Sequence, residues 1–247
     1  MTKLILILWD KMILKKLCKK TSFIIIAILL VLPLSYIVYK KYKSTYDYST
    51  FSAIYEGNIW TEGSGPGSNP KNATAYLTIL QDFFNDPKIK TYYDLGCGDW
   101  QLMELVNMPP NKEYFGFDVV SSVIEGDRKK YKKANVHFQT ISGFSDFKNK
   151  KGDLLIVKDV LMHLPNILIH YFIDNILPNF KYALITHDIS GIKTENNKNI
   201  EIGQWRPLDL EAEPFSLKDL KILTDYSAHD IKTKRVYLYV NEALVIK

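Results

Sequence analysis

The sequence predicts an α/β domain on a mostly parallel sheet, behind one N-terminal membrane-spanning helix. Three observations predict it. From residue 72 onward, short apolar runs alternate with amphipathic stretches, the pattern of strands joined by crossover helices. One run ends in Asp94-Leu95-Gly96-Cys97-Gly98, a glycine turn where a strand gives way to the next element. Residues 23 to 39 are almost wholly apolar, 17 in all, at the short end of what spans a bilayer.

The anchor is expected at about residues 22–39, within a segment 1–45 that precedes a domain at 46–247. A buried soluble helix is the competing reading, but lysines flank the run at both ends. A cleaved signal peptide is disfavoured because no small-x-small site follows the run. Pro33 is tolerated in a membrane helix, and Tyr36 and Tyr39 suit the interface. Lys3, Lys11, Lys15, Lys16, Lys19 and Lys20 precede the run; Lys40, Lys41 and Lys43 follow it. That bias places the N-terminus in the cytoplasm and the domain in the lumen or outside. Asn72-Ala73-Thr74 would then be a glycosylation acceptor.

Residues 44 to 70 read as polar, then glycine-rich. A helix is expected from Asn72 to Phe84, with Ala75, Leu77, Leu80 and Phe83 or Phe84 on one side. Strands follow at 91–95, 114–118, 136–139, 153–158 and 182–186. Helices are expected at about 101–106, 122–132 and 167–177. A long polar loop spans about 190–214, and the tail reads as closing strands in an antiparallel hairpin. No internal repeat is visible.

Formal net charge is +5, with much of the excess beside the apolar segment. A basic flank there implies affinity for a lipid surface before nucleic acid, and no nucleic-acid-binding signature is present. Cys18 and Cys97 are the only cysteines, so neither a disulfide framework nor a zinc pattern exists.

Gly96 and Gly98 permit positive φ and let backbone approach a ligand closely. The turn lacks the third glycine of a dinucleotide fingerprint and any Walker lysine. Asp118 ends the next strand, where a carboxylate can accept both hydroxyls of a ribose; its plainer role is a strand-end turn former. Together these residues resemble the class I S-adenosylmethionine (SAM)-dependent methyltransferases, over most of residues 50–247. The resemblance implies a Rossmann-like seven-stranded methyltransferase sheet and S-adenosyl-L-methionine as cofactor. It also implies contacts from Asp94, Gly96, Gly98, Asp118 and Lys158. Trp60 with GSGPGS at 63–68, KDVLMHLPN at 158–166, ALITHD at 183–188 and GQWRPLDLEAEPF at 203–215 resemble a bacterial and large-virus subgroup. That subgroup usually reads TND where this chain has Thr186-His187-Asp188. Thr140-Ile141-Ser142 stands where an acidic residue is often found.

Methyl transfer to a hydroxyl needs in-line positioning and a base. Asp159, His163 and Asp188 are the candidates, set at the ends of strands four and five; His187 reads as structural. No spacing enforces a metal site. Trp60, Trp205, Arg206 and Asp209 are candidate acceptor contacts, through aromatic stacking, an arginine fork for carboxylate or phosphate, and a carboxylate for sugar hydroxyls. The alternative for Arg206 and Asp209 is a mutual salt bridge. The leading expectation is O-methylation of a sugar or glycan. The alternatives are methylation of a protein, lipid or metabolite, and a membrane-tethered SAM-binding module without catalysis.

Overall fold

The computed structural model describes residues 46–191, 197–228 and 232–245. The expected anchor at 22–39 lies outside them. Among the described residues no helix is long and apolar enough to cross a membrane. The chain divides into two compact units, Met1–Asp47 and Tyr48–Lys247, and the second carries everything below.

Its elements run α1 (Ser49–Glu56), α2 (Thr74–Asn85), β1 (Thr91–Leu95), β2 (Glu113–Asp118), α3 (Ser121–Lys130), β3 (Val136–Thr140) and α4 (Phe144–Phe147). There follow β4 (Gly152–Lys158), α5 (Asn166–Asn175), β5 (Phe180–Asp188), β6 (Leu220–Ala228), β7 (Lys232–Val240) and α6 (Glu242–Val245). The seven strands form one sheet in the order β3-β2-β1-β4-β5-β7-β6. β1 to β5 are parallel, and β7 lies antiparallel between β5 and β6. The seven-stranded α/β sheet and its closing antiparallel hairpin match the expectation.

Strand alternation sends neighbouring side chains to opposite faces. In β1, Tyr92 stacks on Phe84 of α2 with ring centroids 3.9 Å apart. Tyr93 meets Phe147 of α4 on the other face. α2 buries Tyr76, Leu80 and Phe84, and each such side chain removed from water contributes about 1.5–3 kcal/mol. The helix stops at Asn85 because Asp86 precedes Pro87, and a residue before proline is pushed into extended backbone. On the second face Phe147 packs on Phe117 and Phe180, and Phe144 of the same helix packs on Phe172 of α5.

Three local expectations change. The helix at 101–106 is only a 3-10 turn, Met103–Leu105. Trp100 enters it with φ 57, outside helical backbone, and Pro109-Pro110 bars extension. The segment before the glycine-rich stretch holds a helix, α1, that was read as polar chain. The strand at the C-terminus ends at Val240, and Glu242–Val245 is helical.

Candidate active site

A cavity of about 480 Å³ lies along the edge of the sheet where β1, β2, β4 and β6 end and β7 begins. Its size is ordinary for a small-molecule site. Gly96, Cys97, Gly98 and Asp118 line it, together with Lys158, Asp159, His163, Trp60, Trp205, Lys232 and Lys234.

The glycine turn is anchored from β2: the Gly96 and Cys97 amides donate to the Phe117 carbonyl at 2.7 and 3.0 Å. Gly96 has φ 79 and Gly98 φ 56. Asp118 accepts from the Gly98 amide at 3.1 Å and the Val120 amide at 2.9 Å. Those two bonds fix its carboxylate at the cavity wall. Burial raises its pKa, and the amides oppose the rise.

Asp94 does not line the cavity. It sits behind the turn and accepts from the Tyr114 hydroxyl at 2.5 Å, so it braces the loop. Burial, assisted by the Asp118 charge, raises its pKa from 3.8 to about 7 against the Tyr114 hydrogen bond and Lys158. A folded value above the unfolded one means the neutral form fits the fold. The resulting stability is full below about pH 3.8 and is lost as pH rises through about 7. Asp94→Asn, neutral at every pH, should therefore gain on the parent as pH climbs from 4 to 8. Thermal melts across that range check this; a difference that stays flat would mean that Asp94 is ionised throughout.

The glycine-rich stretch crosses the cavity and is tied down at two points. Ser64 Oγ donates to Asp99 Oδ1 at 2.8 Å, and the Tyr55 hydroxyl lies 2.8 Å from Ser64 Oγ. Further on, Lys158 Nζ donates to the Gly67 carbonyl at 2.6 Å. A Cβ on Gly67 would sit 2.8 Å from Asp159 Oδ2, so only glycine lets the loop approach this closely.

Asp159 is held by two ammoniums, Lys158 Nζ on Oδ2 and Lys234 Nζ on Oδ1, each at 2.7 Å. Burial alone would raise its carboxyl, but the two lysines hold it well below the usual carboxylate range. This corrects the expectation of a base: a carboxylate so stabilised has little affinity for a proton. Burial lowers the Lys158 pKa, with Asp159 opposing; its ammonium joins loop to carboxylate.

His163 donates from Nδ1 to the Gln204 carbonyl at 3.0 Å, which leaves Nε2 as the acceptor of the neutral ring. Its ring lies 5.0 Å from Trp60. Burial lowers its pKa to about 4, so it is neutral at pH 7. Asp188 is fully buried, accepts from the Ser190 amide at 2.7 Å, and is not part of the cavity wall. His187, beside it, is also fully buried and packs on Tyr237; burial lowers its pKa to about 3.

Arg206 and Asp209 lie off the cavity and form no salt bridge with each other. Arg206 is 4% exposed and donates to the Met162 carbonyl and Asn166 Oδ1. Asp209 caps its own turn through the Glu211 amide. Both hold the WRPLDL loop in place, which brings Trp205 to the cavity. Trp60 and Trp205 do line it, and Lys232 Nζ stands 4.4 Å from the Trp205 ring centroid. Sequence reasoning missed Tyr55, Ser64, Asp99, Lys232 and Lys234. Among the described residues no group of three or more His, Cys, Asp or Glu could hold a metal ion.

Comparison with protein-family models and with curated proteins finds no match. Solved structures share the architecture. The N-terminal domain of EvdMO1, crystallised in the presence of SAH and D-fucose, superposes with a TM-score of 0.52 at 12% identity, over 77% of this chain and 94% of that one. A SAM-dependent methyltransferase from Anabaena variabilis gives 0.50 at 12% identity, over 77% and 93%. WbdD, co-crystallised with a kinase inhibitor, gives 0.53 at 13% identity, over 68% of this chain and 41% of that one. The fold is one that SAM-dependent methyltransferases adopt.

Proposed function

We propose that this chain transfers a methyl group from S-adenosyl-L-methionine to a hydroxyl of a sugar or glycan. The observation that carries the reading is the cavity. It joins a glycine turn and an oriented carboxylate to a neutral histidine packed against Trp60, with Trp205 also in the wall. The resident groups fit the cofactor. Positive-φ glycines leave backbone open to the amino-acid part, and Asp118 keeps lone pairs for ribose hydroxyls. When bound, SAM supplies an electrophilic methyl carbon.

The remaining work falls to the chain. Trp60 and Trp205 offer flat faces to a sugar ring, and the EvdMO1 domain studied with D-fucose has the same fold. His163, with its tautomer fixed by Gln204, presents Nε2 to take the proton as the acceptor oxygen is alkylated. The anchor at 22–39, the bilayer as partner, and a lumenal or extracellular domain rest on the sequence of residues 1–45. In that orientation the Asn72 amide that would carry the glycan is one that also donates to the Pro66 carbonyl.

Calorimetry on the detergent-solubilised chain tests the cofactor half. Asp118→Ala should weaken SAM by about 1.5–3 kcal/mol, the cost of charge-assisted ribose bonds. Equal SAM affinity in parent and variant would remove Asp118 from the site, and no SAM binding to the parent would end the reading.

A further inference from the structure

We propose that the acceptor is an anion, a sugar ring bearing a carboxylate or phosphate, and that Lys232 on the face of Trp205 is its ammonium partner. The inference rests on the methyltransferase reading and concerns the acceptor end of the same cavity.

Three ammoniums, Lys158, Lys232 and Lys234, line the cavity against two carboxylates, Asp118 and Asp159. Both Asp159 oxygens are already engaged, one by Lys158 and one by Lys234. His163 is neutral at pH 7 and adds no charge. Lys232 has no carboxylate partner among the described residues; its contact is the Trp205 ring. Lys232 and Lys234 alternate along β7, so they share one face of the strand. Lys232 is exposed while Lys234 is buried, so the unmatched ammonium can meet an incoming anion, and its field draws anions toward the cavity.

The cofactor cannot be that anion. SAM carries an ammonium and a sulfonium against one carboxylate, so its arrival adds positive charge. A neutral sugar fits less well, because Asp159, with an ammonium on each oxygen, is a weakened acceptor for its hydroxyls, and Lys232 would gain no charge to meet. The exposed Trp205 ring, 43% accessible, supplies the apolar plate for a sugar face, and the ammonium above it reaches a charged substituent. This moves the anion-binding role from Arg206, which is buried in its own loop, to β7.

The test is calorimetry on the full chain saturated with S-adenosylhomocysteine, titrated with D-glucuronate, D-glucose 6-phosphate and D-glucose. At least one anion should bind about tenfold or more tighter than glucose, the worth of one charge-assisted contact. The preferred anion identifies carboxylate or phosphate. Lys232→Ala should remove most of the preference, Lys232→Arg should restore it, and higher ionic strength should weaken it. Glucose binding as tightly as both anions, no anion binding, or an equal loss for all three sugars in Lys232→Ala would overturn the proposal. Saturation with S-adenosylhomocysteine is measured first, so its failure strikes the methyltransferase reading and the later outcomes strike only the acceptor charge.

Discussion

Gly96→Val is expected to abolish cofactor binding and to destabilise the fold. Gly96 sits at φ 79, and a Cβ there would stand 2.4 Å from Val160 Cγ2. A β-branched residue in left-handed backbone costs about 1–3 kcal/mol. Overpacking a filled site adds about 1–3 kcal/mol. The sum is a large share of the roughly 5–15 kcal/mol that holds a domain folded. Gly98→Ala is the milder companion, because alanine has no β-branch, and Ser64 Oγ, which its Cβ would meet at 2.3 Å, can turn away by giving up its hydrogen bonds to Asp99 and Tyr55. Urea unfolding and SAM calorimetry on both variants check this. A Gly96→Val protein with the parental unfolding midpoint and parental SAM affinity would show that the turn neither needs glycine nor touches the cofactor.

The second large effect is expected at Asp159. Asp159→Ala leaves Lys158 and Lys234 buried side by side without their shared carboxylate. Removing one partner of a buried charge pair costs about 3–5 kcal/mol. Asp159 also occupies left-handed backbone at φ 58, which Asn tolerates better than Ala. Asp159→Asn should therefore retain the backbone and lose the charge, and it separates the two costs. If the ammoniums dominate, Asn and Ala are similarly unstable, and stability recovers in both when Lys234 is also replaced by Met. Chemical denaturation of the single and double variants measures that coupling. Additive losses, with no recovery in the doubles, would mean that the lysines do not depend on Asp159.

How far the sequence could be read varied with the kind of signal. The parallel strands were visible because they are short apolar runs bounded by turns. Gly96, Gly98 and Asp118 were visible because strand ends carry ligand chemistry in such sheets. Helix α1 was passed over because it is short and lies in an aromatic, polar stretch. Its signal was present all the same: Phe51 and Ile54, both buried, stand three apart. Arg206 and Asp209 show the opposite error. An arginine in a polar loop looks available, yet its guanidinium is buried and both terminal nitrogens are engaged by the Met162 carbonyl and Asn166, contacts forty or more positions away in the chain. Asp159 was found as a residue but misjudged as a base, because Lys234 reaches it from β7, 75 positions further on. Lys232 and Lys234 were hidden in a strand that opens Lys-Thr-Lys-Arg, polar on both faces, where sequence alone does not say which face looks inward.

The antiparallel course of β7 has a consequence for how this protein can change. A parallel strand would bring its last residues to the ligand edge, but β7 brings its first, Lys232 and Lys234. On the proposed reading, the donor-binding groups are encoded around residues 96–118 and the lysines that meet the acceptor at 232–234. Substitution at alternate positions of a single late strand can therefore retune which molecule is accepted while the donor-binding turn stays untouched. Two specificities written so far apart in one gene can drift independently.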